Sequence, residues 1–158
     1  MRESSSLIGL IQGFLTQNNL KYQDLNNIVV VHGPGSFTGI RTVALIVNSI
    51  AFAIPNLSLT PISFFDLLDR YPMIKSSSKR DLFVKKMKWD KIEVVNNTDF
   101  IDYIDENKIQ KIYGDVATDF LGQREISFEV DYQSIIENIE LVTKREITPL
   151  YMKKPNIT

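Results

Sequence analysis

The chain has 158 residues, 44% of them hydrophobic and 23% charged, and 18 basic against 19 acidic residues give a formal net charge of −1. Because cysteine is absent, disulfides, thiolate metal sites and cysteine nucleophiles are excluded, and a reducing cytoplasm suits the composition. The balanced charge provides no long-range attraction to phosphate backbones. A chain of this length is expected to form one domain or two small lobes. The longest apolar window, 43–54, is shorter than the ~20 residues of a membrane span, so no membrane association is predicted.

The first predicted element is a helix over residues 5–16, capped by one of the serines at 4–6. Its apolar side chains recur at helical spacing and form a broad stripe: Leu7, Ile8, Leu10, Ile11, Phe14 and Leu15. Gly9 and Gly13 lie one turn apart in this helix, where each glycine costs about 1 kcal/mol relative to alanine. Two interpretations are open. Tertiary packing tolerates a poor helix, or the missing side chains let another helix approach closely.

The next elements alternate between strand and helix. Residues 28–31 are apolar on both faces, as in a central parallel strand. A loop at 32–38, a helix at 39–53 and a strand at 57–60 follow, and Pro55 ends the helix. A further helix is expected at 63–70, since Ser63 and Asp66 have the spacing of a capping box. This order predicts right-handed crossovers onto a parallel sheet.

The remainder of the chain predicts a second lobe. The expected division is an N-terminal lobe at 1–72, a polar linker at 73–80 and a small α/β lobe with a closing tail at 81–158. In that lobe the pattern predicts strands at 81–88, 92–95 and 109–113, with helices at 98–106 and near 132–142. A basic stretch comprises Lys75, Lys79, Arg80, Lys85, Lys86 and Lys88. Because no aromatic ladder accompanies it, a solvated face is favoured over contact with RNA or phosphate.

The most specific motif is the loop between the first strand and the second helix. It consists of Gly33, Pro34, Gly35, Ser36, Phe37, Thr38, Gly39 and, in the following turn, Arg41. Free backbone amides at the start of a helix can bind an anion, and the hydroxyls of Ser36 and Thr38 and the guanidinium of Arg41 would be further hydrogen-bond donors. However, the loop lacks the Lys-Ser/Thr ending of a Walker A motif and the glycine spacing of a dinucleotide fingerprint. A structural turn, with Ser36 or Thr38 as helix cap, is favoured over an anion site.

The residues do not form a recognisable catalytic or metal site. His32 is the only histidine, and no spacing supports a triad with Ser36 or Thr38, so a peptidase is disfavoured. The acidic residues at 99–106 have the spacing of a solvated helix face rather than of a metal site. We therefore predict no catalytic residue, no metal and no cofactor in this chain.

The segment 32–41, His-Gly-Pro-Gly-Ser-Phe-Thr-Gly-Ile-Arg, resembles the signature of the TsaB (YeaZ) family. The Thr-Pro-Ile-Ser step at 60–63 and the Pro-Leu-Tyr segment with its basic ending at 149–155 are similar to later parts of that family. The resemblance implies lobes of the actin and sugar-kinase (ASKHA) type. It also implies a cytoplasmic, non-catalytic dimerisation subunit for threonylcarbamoyladenosine modification of tRNA.

The same resemblance implies partners and the residues that would bind them. A TsaD-type transferase would form a heterodimer with this chain, and a TsaE-type ATPase would join a larger complex. Transfer RNA would be contacted only indirectly, and a homodimer would form when the chain is alone. The helices that pair in the family place the partner-binding residues at Leu7, Gly9, Leu10, Ile11, Gly13, Phe14, Val43 and Val47. The alternative is a nucleotide- or phosphate-binding ASKHA-type enzyme that uses the loop Gly33–Gly39.

One departure from the family concerns the start of the chain. Family members begin with a β-hairpin region carrying Asp-Thr-Ser or a similar sequence, whereas this chain opens at the first helix. We therefore expect an N-terminally truncated first lobe, and a second lobe that is small and degenerate.

Overall fold

The computed structural model describes residues 2–116 and 121–153, with side chains from residue 7 onward. The helices are α1 (Arg2–Gln17), α2 (Phe37–Ala53), α3 (Asn97–Glu106) and α4 (Tyr132–Asn138). The strands are β1 (Asn27–Gly33), β2 (Ser58–Ser63), β3 (Met73–Ser76), β4 (Asp81–Lys85), β5 (Glu93–Asn96), β6 (Lys111–Asp115) and β7 (Glu125–Ser127). The predicted mixed α/β class is confirmed. Within this described part of the chain, no helix has the length and apolarity needed to cross a bilayer.

The first of two compact units comprises Met1–Phe64 and Ile136–Tyr151. Its strands β1 and β2 run parallel, with Asn27 opposite Ser58, as the predicted crossover requires. The inward side of α2 packs against both strands. This core contains Val30, Ala44, Val47, Ala51, Ile54, Leu57, Leu59 and Ile147.

The second unit comprises Phe65–Ile135 and Met152–Thr158. Its five-stranded sheet has the order β5-β4-β3-β6-β7, with β3, β6 and β7 parallel and β4 antiparallel to both of its neighbours. Helix α3 packs on this sheet through Phe100 and Ile104, which are fully buried. The second half therefore has its own core, separate from that of the first unit.

Two segments differ from the predicted division of the chain. The expected linker at 73–80 contains β3, the central strand of the second sheet, and its Met73 and Ile74 are fully buried. A strand of four residues beside a run of serines shows no readable alternation. The segment Ile136–Tyr151, expected in the second lobe, belongs to the first unit, where Leu59 N donates to Lys144 O at 2.8 Å.

The predicted helix limits also need correction. The helix expected at 63–70 is only a 3-10 turn at Phe64–Asp66, since β2 continues to Ser63. Helix α1 begins at Arg2, so the serines at 4–6 lie inside it rather than at its cap. Helix α3 is capped by Asn96, whose side-chain oxygen accepts from Asp99 N at 2.8 Å, and not by Thr98.

Candidate functional site

The glycine-rich loop begins α2 through a local hydrogen bond. Ser36 is the N-cap, and its Oγ accepts from Gly39 N at 3.1 Å. A Cβ on Gly39 would lie 2.6 Å from that oxygen, so this position accommodates only glycine while the cap is in place. The loop thus has the capping arrangement of the structural interpretation.

The start of the same loop lies against the C-terminal segment of the first unit. Gly33 is buried with a φ of +137°, and a Cβ there would approach Leu150 O to 2.7 Å. Leu150 N donates to His32 O at 2.9 Å, which brings the two backbones together. Glycine is therefore needed at position 33 both for its backbone angle and for this close approach.

Aromatic side chains also connect the C-terminal segment to the start of α2. The Phe37 ring lies 5.2 Å from the Tyr151 ring, and the Arg41 guanidinium lies 5.1 Å from the centroid of Phe37. An open groove of about 500 Å³ runs between α2 and residues 146–151, with Arg41 and Glu146 among its lining. The groove therefore carries charges of both signs and lacks the uniformly positive lining of a phosphate site.

The residues weighed for catalysis bond to the backbone. His32 Nδ1 lies 2.9 Å from Thr148 O, and since a carbonyl only accepts, Nδ1 carries the proton and donates. Ser36 is engaged with Gly39 as described. Two acidic residues of α3 bond to other side chains: Asp99 to Asn96, and Asp105 to Arg124. Over residues 2–116 and 121–153, no group of three or more His, Asp or Glu side chains is placed to hold a metal ion.

We expect isothermal titration of the isolated chain with ATP and Mg²⁺ to show no saturable binding, because Ser36 Oγ and Gly39 N bond to each other and the groove beside the loop carries charges of both signs. Gly35→Val is the matched variant, since it changes the loop where an anion would approach. Saturable binding by the natural chain that Gly35→Val removes would instead support the nucleotide-binding alternative.

The sequence did not predict two side chains, Arg145 and Asn48, that bond the C-terminal segment to α2 and the residues that follow it. The Arg145 guanidinium donates to four carbonyl oxygens around the end of α2: those of Ala51, Ile54, Pro55 and Leu57. Asn48 pairs with the backbone of Ile147 in both directions, each hydrogen bond being 3.0 Å long. The partners of each are about 90 to 100 residues away in sequence, so no local pattern predicts them.

Arg145→Ala is expected to lower the free energy of unfolding of the first unit by about 2 kcal/mol, since hydrogen bonds to charged groups contribute about 1.5–3 kcal/mol. The substitution leaves carbonyls at the C-terminal end of α2 without a cationic donor. Urea denaturation followed by circular dichroism measures the change. Lys144→Ala is the control, because only the backbone of Lys144 bonds to Leu59. Equal stability of the two variants would contradict the stabilising role of Arg145.

Helix α1 presents large apolar side chains to solvent. Leu10 is 69% exposed and Phe14 is 64% exposed, whereas Leu7 and Ile11 are only partly exposed. Among the residues that the structure describes, no atom outside the helix lies within 4 Å of the Cβ position of Gly9 or Gly13. The Cβ positions of both glycines are thus open, and within the described part of the chain neither glycine is required by a close contact.

Helix α2 differs from the expectation for its partner-binding residues. Val47 is buried in the core of its own unit, and Val43 packs against that core. The outward apolar side chains are instead Leu45, 69% exposed, and Phe52, 89% exposed. Helical spacing was sufficient to predict an apolar helix, but the assignment of Val43 and Val47 to a partner followed from the family resemblance, and the spacing did not show that this side faces the sheet. We call Leu10, Phe14, Leu45 and Phe52 the exposed apolar face.

The comparisons with known proteins point to one fold. Residues 2–74, slightly less than half of the chain, match the family model of TsaD, tRNA N6-adenosine threonylcarbamoyltransferase. A comparison with curated protein sequences finds no match.

Two solved structures cover nearly the whole chain. YeaZ from Pseudomonas aeruginosa has a TM-score of 0.72 at 14% identity, covering 96% of this chain and 86% of YeaZ. A protein described as having similarity to peptidase YEAZ from Pseudomonas aeruginosa has a TM-score of 0.70 at 13% identity, covering 94% and 83% respectively. The resemblance to the YeaZ (TsaB) type is confirmed in the fold, which agrees with the expected ASKHA-like class.

Proposed function

We propose that this chain, which has the fold of YeaZ, is a TsaB-type accessory subunit that binds a TsaD-type transferase as a heterodimer. The complex attaches threonylcarbamoyl to an anticodon-loop adenosine of tRNA, and this chain contributes no reacting group. The match of residues 2–74 to a threonylcarbamoyltransferase family supports the reaction class. The engagement of His32 and Ser36 with the backbone supports a structural role for the loop.

The exposed apolar face is the observation that carries the proposal. Its four large side chains stand on two helices that pack against each other. Fully burying one Leu or Phe side chain contributes about 1.5–3 kcal/mol. Burying four of them would offset much of the cost of association, about 4–15 kcal/mol. A face of this kind is typical of a protein–protein interface.

The open glycines add a geometric argument. Gly9 and Gly13 leave the backbone of α1 uncovered, so a partner helix can approach it more closely than side chains would allow. The two glycines each weaken α1 by about 1 kcal/mol when the chain is alone. Close packing of a partner helix provides the compensation that the isolated chain lacks.

The glycine-rich loop has an indirect part in this scheme. It starts α2 at Ser36 and holds the C-terminal segment at Gly33, so it fixes the helix that carries Leu45 and Phe52. A TsaE-type ATPase joins the larger assembly, and tRNA is held mainly by the partner. A second copy of the chain takes the partner's place on the face when the chain is alone. The proposal places this assembly in the cytoplasm.

The direct test is to mix the purified chain with a TsaD-type transferase and measure mass by size-exclusion chromatography with light scattering. We expect a one-to-one heterodimer. In the presence of TsaE and an activated threonylcarbamoyl donor, transfer to tRNA should require both subunits. Separate elution of the two chains at micromolar concentration would contradict partner binding. Transfer by this chain in the absence of the transferase would contradict its accessory role.

A further inference from the structure

The connection between β4 and β5 contains two large apolar side chains that are mostly exposed to solvent. Trp89, the only tryptophan of the sequence, is 87% exposed, and Met87 beside it is 66% exposed. Asp90 N donates to Met87 O at 3.2 Å and closes a turn there. We call residues 85–91 the lysine–tryptophan loop. A tryptophan presented in this way at a turn is typical of a contact residue for a partner.

Lysine ammonium groups of this loop lie close to aromatic rings. Its four lysines, Lys85, Lys86, Lys88 and Lys91, are accompanied within the loop by one carboxylate, Asp90, although the whole chain has a net charge of −1. The Lys88 Nζ lies 5.6 Å from the Trp89 ring. The ammonium groups of Lys85 and Lys86 lie 5.7 Å from Tyr71 and 4.9 Å from Tyr103. The aromatic residues that the sequence pattern did not show beside the basic stretch are therefore supplied in part by tertiary structure.

Two of these lysines have carboxylate partners that phosphate can replace. Lys88 pairs with Asp69 and Lys86 pairs with Glu93, and all four groups are partly solvent-exposed. Exposed pairs contribute little to stability and are screened by salt, so exchanging a carboxylate for a phosphate has a small cost. The hydrogen bond to Asp69 raises the pKa of Lys88 above its ordinary value. With both partner carboxylates included, four ammonium groups accompany three carboxylates at the loop.

We infer that the lysine–tryptophan loop binds single-stranded RNA, with a base stacked on Trp89 and the flanking phosphates on Lys85, Lys88 and Lys91. A base reaches an indole ring only when it is unstacked, as in a loop or at a strand end, which is why the ligand is single-stranded. Lysines beside an aromatic platform are the usual composition of such sites. The inference goes beyond the proposed function, which leaves tRNA mainly to the partner, and it involves no residue of the exposed apolar face.

Because Trp89 is the only indole, its fluorescence reports the site directly. We expect a 12-nucleotide single-stranded RNA of mixed sequence to quench this fluorescence saturably in low-salt buffer with the full chain. In fluorescence anisotropy with labelled RNA, Trp89→Ala should weaken binding about tenfold, and Trp89→Phe should recover much of it. Tyr132→Ala is the matched control, since Tyr132 is an exposed aromatic residue of α4 and should leave the affinity unchanged.

The lysines are tested through the salt dependence of binding. Replacing Lys85 and Lys91 together by alanine should reduce the slope of log affinity against log salt by about 1.4, because each single-strand phosphate that a lysine neutralises adds about 0.7 to the slope. An unchanged slope, or equal RNA affinity of Trp89→Ala and the natural chain, would overturn the inference. So would fluorescence changes with anionic phosphatidylglycerol vesicles or with the transferase but not with RNA. A variant that no longer binds the transferase but still binds RNA, or the reverse, separates this proposal from the previous one.

Discussion

The double substitution Leu10→Asp with Phe14→Asp should weaken transferase binding at least about a hundredfold, because each buried anchor of an interface contributes about 2 kcal/mol or more. The carboxylates would have to be desolvated against an apolar partner surface. Since both side chains are mostly exposed in the isolated chain, the free energy of unfolding should change by no more than about 0.5 kcal/mol per site. Biolayer interferometry gives the affinity, and thermal denaturation gives the stability.

The control for this variant lies on the same helix. Gln12→Asp with Thr16→Asp introduces the same charge at the same spacing of four residues, on exposed positions turned about 120° to 160° from Leu10 and Phe14. Their hydrogen bond to each other is a surface contact and contributes little. We expect this variant to bind normally. Equal binding by both double variants would rule out the exposed apolar face as the interface.

A second pair of substitutions, both in helix α2, distinguishes a residue of the interface from a residue of the core. Leu45→Asp should reduce transferase binding and leave the fold intact, because Leu45 points to solvent. Val47→Asp should unfold the first unit, since a carboxylate would be buried without a partner among Ala44, Ala51 and Leu59. If Val47 instead lay in the interface, as the sequence predicted, its variant would fold normally and lose only binding.

The second large effect concerns Gly114 in β6. Gly114→Ala should lower the free energy of unfolding of the second unit by at least about 4 kcal/mol, a large share of the typical 5–15 kcal/mol of a domain. The residue has a φ of +140°, where other residues are strained by about 1–3 kcal/mol. Its Cβ would lie 1.8 Å from Ile74 O, in the register pair between β6 and the central strand β3. The two strands would have to separate.

Hydrogen exchange measured by mass spectrometry resolves this effect by segment. Peptides of β3 and β6 should exchange fast in Gly114→Ala, and the segment containing β1 and α2 should keep its protection. Gly122→Ala is the matched control, because Gly122 also has a positive φ, +65°, while the nearest atom to its Cβ position is the Arg124 guanidinium at 3.9 Å. Equal protection of β3 in both variants would show that the close approach to Ile74 has no energetic consequence.

Much of the local structure follows from patterns that neighbouring residues set. The apolar run at 28–31, the helical spacing of α1 and α2, and the cap at Ser36 all act within about one turn or one strand, so the sequence was sufficient to predict them. The loop at 33–39 carried a specific family resemblance, and the YeaZ-type fold agrees with it. Strand β3 was missed because the proline before it and the run of serines after it indicated a linker, and its pairing with β4 and β6 has no signal within the segment itself.

The assignment of faces and long-range contacts depended on tertiary packing. Val47 and Leu45 are both apolar but lie about 160° apart around α2, and only the position of the β1–β2 sheet decides that the side of Val47 faces inward and the side of Leu45 faces solvent. Arg145 meets carbonyl groups about 90 residues earlier in the chain, and Gly114 is constrained by a neighbouring strand. In each case the decisive partner is distant in sequence, so the residue's role is set by three-dimensional proximity and has no local signature.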